Sequence, residues 1–246
     1  MSTSHDLDAL FRDWPFKPGL ISARLVQAED GRQVLQMRIE MGILQMEMTG
    51  RPDGEKPDGQ PTYLDWIRRE ATREGEAFAL TPAQCMELDR EFLQYYHRRI
   101  CCLALRQFAR AVADAEHTLA LMDFVVEHSP NEEWTLSHEQ YRPFVLFHRA
   151  QAASMVELQR AGPEAAIEAI NQGLQQMKAL LEKLGAEESF ENDELVRQLV
   201  EVKESLRQEY HVGRTLAEQL ADAVANEQYE HAARLRDEIA RRRGGL

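Results

Sequence analysis

The hydrophobic pattern of this chain changes period once, and that change constrains the fold class more than any other feature. From Ile21 to Met48, in ISARLVQAEDGRQVLQMRIEMGILQMEM, apolar and polar residues alternate. Leu35, Met37, Ile39 and Met41 share one parity, and Leu44, Met46 and Met48 repeat it on the next segment. Period two is strand geometry, because successive side chains leave opposite faces of a pleated backbone. Asp30-Gly31 supplies a hairpin turn, since Gly accepts the positive φ that tight hairpins require. At least two antiparallel strands are expected, with a third beginning near Gly42. The methionines could form an adaptable binding surface, but their place on the buried parity reads as core.

Arg51 to Pro61, RPDGEKPDGQP, ends the alternation with two Pro-Asp-Gly units. In each, Pro presets φ and Gly relieves the next corner. The stretch reads as a connector from sheet to helices, with an ordered ligand loop as the alternative. Beyond Thr62 the period is helical. Thr81-Pro82 starts a helix expected to reach about Leu105, because a hydroxyl cap precedes a proline at the first turn. A second helix runs from Gln107 to about His128, where Ser129-Pro130-Asn131 stops it. A third is expected from near Ser137 to Arg160, with Pro143 in its first turns. Gly162-Pro163 breaks the chain, and a fourth helix covers Glu164 to Leu184 with Gly185 as its cap. AEESFENDE is an acidic linker. DELVRQLVEVKESLRQEY then forms a fifth helix with Leu195, Leu199, Val202 and Leu206 as its stripe. The fold class is therefore α+β, mostly α: a β-unit over 1–61, a helical-hairpin domain over 62–185, and a long helix with a C-terminal hairpin over 186–246.

The 246 residues carry a formal charge of −13 at pH 7. A surface acidic overall repels phosphate, so direct nucleic-acid binding and attachment to an anionic membrane are not expected. MSTSHDLDALFRDWPF has acidic residues where a secretory leader carries basic ones, and no long apolar run follows it. Three cysteines, Cys85, Cys101 and Cys102, read as reduced thiols of a cytoplasmic protein.

No constellation meets the geometric standard of a catalytic site, and neither an enzyme nor a cofactor is expected. No phosphate-binding G-x-x-x-x-G-K-[ST] loop occurs. His97 and Cys101 share a helix face, but a zinc site needs two further ligands, so buried thiols are the expectation and no metal site is assigned. His117, His128, His138 and His148 follow no ligand spacing and read as scattered surface or interface residues. Glu187-Glu188 and Asp193-Glu194 read as solvated linker charge. Arg241-Arg242-Arg243 complements a helix C-terminus as readily as it would touch phosphate.

Two stretches, QFARAVADAEHTLAL (Gln107–Leu121) and GPEAAIEAINQGLQQM (Gly162–Met177), resemble the second helix of a tetratricopeptide repeat. The resemblance implies that Ala111 and Ala166 fill the position where paired helices approach. Phe108 and Ile170 would pack beside them, and Leu119 and Leu174 would face a neighbouring helix. The two alanines are separated by more than that family's period of about 34 residues, and Arg98 and Arg99 stand where Leu and Gly are expected. The pattern therefore supports stacked α-hairpins.

The C-terminal stretch TLAEQLADAVANEQYEHAARLRDEIARR (Thr215–Arg242) reads as a helical hairpin. Leu216, Leu220 and Ala223/Val224 make one stripe. Asn226-Glu227-Gln228 connect, and Tyr229 opens the second helix, whose inward side holds Ala232, Ala233, Leu235, Arg236 and Ile239. Small residues let another helix come close, and i,i+4 charge pairs such as Glu230–Arg234 and Asp237–Arg241 support the short helix. The sequence Glu227-x-Tyr229-Glu230-x-Ala232-Ala233-x-Leu235-Arg236-Asp237-x-Ile239, with Leu216, Leu220 and Ala223 before it, resembles the UVR motif of the UvrB/UvrC nucleotide-excision-repair proteins. In that family the hairpin joins repair subunits. Similar motifs occur in activators of bacterial protein-arginine kinases and in some Clp-type ATPases.

The resemblance implies a non-catalytic adaptor or regulator that docks a protein through Leu216, Leu220, Tyr229, Ala232, Ala233, Leu235, Arg236 and Ile239. Arg236 and Asp237 would fix the hairpin or its mate by ion pairing. The expected partner is a UVR-containing repair subunit, a Clp-type ATPase or a kinase-activator system, with a homodimer as a further possibility. The alternatives are a nucleic-acid-associated excision-repair accessory factor, an enzyme with a site in the β-unit, and a hairpin that only caps its own chain.

Overall fold

The computed structural model describes the backbone of residues 6–244 and the side chains of residues 6–241. Arg242 and Arg243 of the expected basic terminus thus lie outside the described side chains. The molecule is 69% helical, with a three-stranded antiparallel sheet first and a helix pair last. It divides into two compact units, Met1–Val145 and Leu146–Leu246.

In the first unit β1 (Ser22–Gln27), β2 (Gln33–Ile39) and β3 (Gly42–Glu47) form a meander in chain order. Leu25 faces Leu35, and Leu35 faces Met46, so the apolar parity is continuous across the sheet. Val34, Leu35, Met46 and Met48 are buried. Gly31 turns the first hairpin at φ 86°. Met41 departs from the expected core. The second hairpin closes on the Ile39–Gly42 pair, which puts Met41 at the tip of a two-residue loop, 88% exposed.

A short helix not expected from the sequence, α1 (Asp8–Asp13), serves the opposite, polar parity. The Arg38 guanidinium lies 4.1 Å over the Phe11 ring and donates to the Trp14 carbonyl, while Arg24 sits 4.2 Å over the Trp14 ring. Two cations on the sheet are thereby covered by aromatic faces.

The Pro-Asp-Gly connector is tied down at both ends. Arg51 N–H donates to the Pro61 carbonyl, and Gly54 N–H closes the first turn on the Arg51 carbonyl. Where β3 ends, its carbonyls lose strand partners and must find others. Helix side chains supply them. Arg98 donates to the Glu47 and Gly50 carbonyls at 2.9 and 2.8 Å, Tyr95 Oη to Gly50 at 3.0 Å, and Arg110 to Met48 at 3.0 Å. Arg98 is buried and its charge is met by Asp114 at 2.7 Å. That explains an arginine at a position where a repeat helix would place an apolar residue.

The helices start where their caps stand. α2 (Tyr63–Glu74) has Thr62 as N-cap, and the buried Glu91 carboxylate accepts from Tyr63 N–H at 2.6 Å and Leu64 N–H at 3.0 Å. Its negative charge meets both the unpaired N–H groups and the positive end of the helix dipole. α3 (Pro82–Ala104) opens on a Thr81–Gln84 capping box, and α4 (Phe108–His128) packs along it. The expected third helix is two. α5 (Glu132–Glu139) is capped by Asn131, and α6 (Arg142–Ala161) begins with Pro143 in its first turn. Pro143 has no N–H to carry a helix across Gln140-Tyr141, and the Asn131 side chain starts a helix earlier than Ser137.

The four histidines also differ from expectation. His138 and His148 are buried. His117 stacks on Tyr95 at 3.7 Å and bonds Glu91 at 2.9 Å, and His128 packs edge-on against Phe78. Their spacing follows the inward faces of successive helices, which sequence distance alone does not reveal.

In the second unit α7 (Pro163–Lys183) follows a turn at Gly162, φ 93°, and α8 (Glu194–Tyr210) is capped by Asp193. The acidic linker contains a 3-10 turn, Glu187–Asn192. Ala166 and Ile170 are fully buried, as is Ala111 in the first unit. Gly173 faces Ala150 so closely that a Cβ there would lie 2.3 Å from that of Ala150. The buried stripe of α8 runs through Val196, Leu199 and Leu206, with Val196 replacing the expected Leu195. Among the described residues, no helix is long and apolar enough to cross a membrane.

Candidate docking hairpin

The C-terminal pair is α9 (Leu216–Ala225) and α10 (Tyr229–Gly244). Thr215 starts α9 with a reciprocal capping box: its hydroxyl accepts from Glu218 N–H, and its own N–H donates to Glu218 Oε2 at 2.9 Å. The turn that follows is a Schellman arrangement. Gln228 N–H donates to the Ala223 carbonyl at 2.8 Å and Glu227 N–H to Val224 at 3.1 Å. Such a turn needs one left-handed residue, and here it is Glu227, at φ 55°.

The side chains expected to dock divide into two groups. Ala232 and Leu235 are buried against Ala223, with Leu216 and Leu220 packed around them. These residues form the hairpin's own small core, so the close helix approach that the alanines allow is between α9 and α10. Tyr229 is 68% exposed. Arg236 is exposed too, paired with its neighbour Asp237 at 2.9 Å in water, an arrangement of little energetic weight. Ala233 and Ile239 are partly exposed. At helical spacing Tyr229, Ala233, Arg236 and Ala240 lie on one stripe, beside the one that faces α9.

Glu218 joins the hairpin to the rest of the second unit. Its carboxylate accepts from Asn171 of α7 at 3.1 Å, lies 3.8 Å from Lys203 Nζ of α8, and is held by Arg207 of α8. Burial alone would raise the Glu218 pKa. The Thr215 N–H, the Asn171 amide and the two cations outweigh burial and hold it below the ordinary carboxylate value. None of this was visible in the motif, because Asn171, Lys203 and Arg207 lie outside it.

The other expected candidates lie elsewhere. His97 is half-buried, and burial lowers its pKa. Cys101 and Cys102 are fully buried, and burial pushes both thiols up to about 12, far from the thiolate form that ligates or attacks. Among the described residues, no group of three or more His, Cys, Asp and Glu side chains is placed to hold a metal ion. Sequence reasoning missed an apolar cleft in the first unit, walled by residues of α3, α5 and α6.

The C-terminal pair is thus a two-helix module with its own core, its own capping box and a second stripe left outside. By sequence, residues 214–242 match the UvrB/uvrC motif, UVR, which spans α9 and α10. UVR motifs mediate protein–protein interaction in repair proteins, so the motif carries a protein-interaction or repair-associated role. Neither the curated proteins nor the solved structures provide a match to this chain.

Proposed function

We propose that this protein is a non-catalytic adaptor or regulator that docks another protein on the outward stripe of α10. The observation that carries the reading is the division of the UVR hairpin. Its inward residues Ala223, Ala232 and Leu235 are used in its own core, whereas Tyr229 stands in solvent. An exposed tyrosine beside small residues offers a rigid, amphipathic anchor at low entropic cost, with Arg236 setting register by charge. Affinity comes from packing on Tyr229 and Ala233, the apolar members of that stripe, whereas Ile239 follows Ala232 and Leu235 at helical spacing on the side that faces α9. Leu216, Leu220, Ala232 and Leu235 contribute by shaping the hairpin and do not themselves touch the partner.

A photo-crosslinking residue placed at Tyr229 in the full chain, irradiated in lysate of the native host, tests this directly. One dominant protein adduct is expected at position 229 and none when the same residue replaces the linker Glu188. Equal adducts at both positions would remove α10 as the docking surface.

A further inference from the structure

Helices α6 and α8 of the second unit border a surface groove of about 380 Å³. Its floor is apolar: Phe147 and Leu206 are 7% and 6% exposed, and Val202 beside them is half-buried. Gln151 stands on the α6 side, and Gln198, Glu201, Ser205 and Glu209 line the α8 side. Those four α8 residues recur every three or four positions, so they follow one face of the helix.

The charge of the groove has one sign. Its lining residues include two carboxylates, Glu201 and Glu209, and no cation. The cations of α8 are Arg197, Lys203 and Arg207, and each is committed elsewhere. Arg197 pairs with Glu194, Lys203 lies 3.8 Å from Glu218, and Arg207 holds Glu218 and reaches Glu204 at 3.7 Å. Glu201 and Glu209 are both exposed and form no ion pair among the described residues. The Gln151 amide and the Ser205 hydroxyl likewise have no hydrogen-bond partner among them. Peptide recognition needs an apolar seat for a side chain and groups that bond the main chain, and this groove has both.

We propose that the groove binds an extended, basic peptide segment of a partner protein, with an apolar side chain between two cations. Glu201 and Glu209 are eight residues apart on α8, about 12 Å at 1.5 Å per residue. An extended chain rises about 3.3 Å per residue, so residues i and i+4 span nearly the same distance. Alternation puts i, i+2 and i+4 on one face. The cations therefore stand at i and i+4 over Glu201 and Glu209. The apolar residue at i+2 meets Val202 and Leu206, which lie between the two carboxylates along the helix. The groove uses no residue of the C-terminal hairpin, so its test is independent of the α10 reading.

Fluorescence anisotropy of rhodamine-labelled Gly-Lys-Thr-Leu-Thr-Lys-Gly against the full chain tests both charge and spacing. Saturable binding is expected. Moving the second lysine one place, in Gly-Lys-Thr-Leu-Lys-Thr-Gly, keeps composition and charge but turns that lysine to the other face, so weaker binding is expected. Glu201→Gln/Glu209→Gln removes only two exposed charges, and binding should fall about tenfold, the weight of two exposed ion pairs. Glu187→Gln/Glu188→Gln changes the net charge equally in the linker before α8 and should leave binding unchanged. No saturable binding, equal binding of the two peptides, or equal binding by the two double variants would each overturn the proposal.

Discussion

Arg207 of α8 and Glu218 of α9 form an ion pair on the same carboxylate that caps the first helix of the UVR hairpin. A local device, the Thr215–Glu218 capping box, is thereby also the tether of the hairpin to the helices before it. Losing a cap typically costs about 1 kcal/mol, and losing a charge-assisted hydrogen bond about 1.5–3 kcal/mol. Both effects meet at Glu218.

Glu218→Gln should therefore loosen the hairpin by about 2 kcal/mol, combining a weakened cap with a lost ion pair. The folded pKa of Glu218 is depressed: burial raises it, but the Thr215 N–H, Asn171, Arg207 and Lys203 prevail. Its contribution is present above the unfolded carboxylate pKa and is lost as pH falls through the lower folded value. Hydrogen exchange over α9 and α10 should separate the two proteins at pH 7. The gap should close in acid.

Glu227 is a non-glycine residue in the left-handed region, where a side chain costs about 1 kcal/mol. Glu227→Gly should accordingly stabilise the turn by roughly that amount. The check is protection of the Gln228 and Glu227 amides, which close the turn. Unchanged or faster exchange there would mean that the glutamate side chain offsets its own strain.

Gly173→Ala sets two effects against each other. Alanine favours a helix by about 1 kcal/mol over glycine. Its Cβ, however, would lie 2.3 Å from the Ala150 Cβ and 3.5 Å from the Ala150 Cα. Overpacking of this kind costs about 1–3 kcal/mol, so a net loss in denaturant midpoint is expected. Ala150→Gly in the same protein should restore most of it, because it removes the other side of the clash.

The thiols should report burial. Cys101 and Cys102 are buried and their pKa values are pushed up to about 12. Cys85 is only half-buried, and its thiol is raised by burial and by Asp89. A disulfide-exchange reagent at pH 8 should therefore modify Cys85 slowly and leave the other two untouched until denaturant is added. Fast reaction of a second thiol in the folded protein would contradict the packing of α3.

What the sequence revealed was whatever is written in local chemistry. The alternation across Leu35 and Met46, the cap at Thr81, and the breaks at Gly162 and Gly185 each act within a few residues, and each of these features appears where expected. α1 was not legible because Phe11 and Trp14 find their partners, Arg38 and Arg24, on the sheet. Glu91 as the cap of α2 depends on a contact between residues 28 positions apart. The hairpin's outline was legible, but which alanine faces inward was not, since Ala232 and Ala233 are adjacent. The cleft joins α3 to α5 and α6, and no pattern within a single helix encodes it.

The most direct test compares Ala233→Glu with Ala232→Glu by hydrogen exchange over residues 215–241 and by capture of the protein that crosslinks at position 229. Ala233 is partly exposed, whereas Ala232 is buried against Ala223. The expected result is that Ala233→Glu keeps native protection and loses the partner. Ala232→Glu is expected to lose protection and partner together. If Ala233→Glu retains the partner at wild-type strength while the hairpin stays folded, the outward stripe of α10 is not the docking surface.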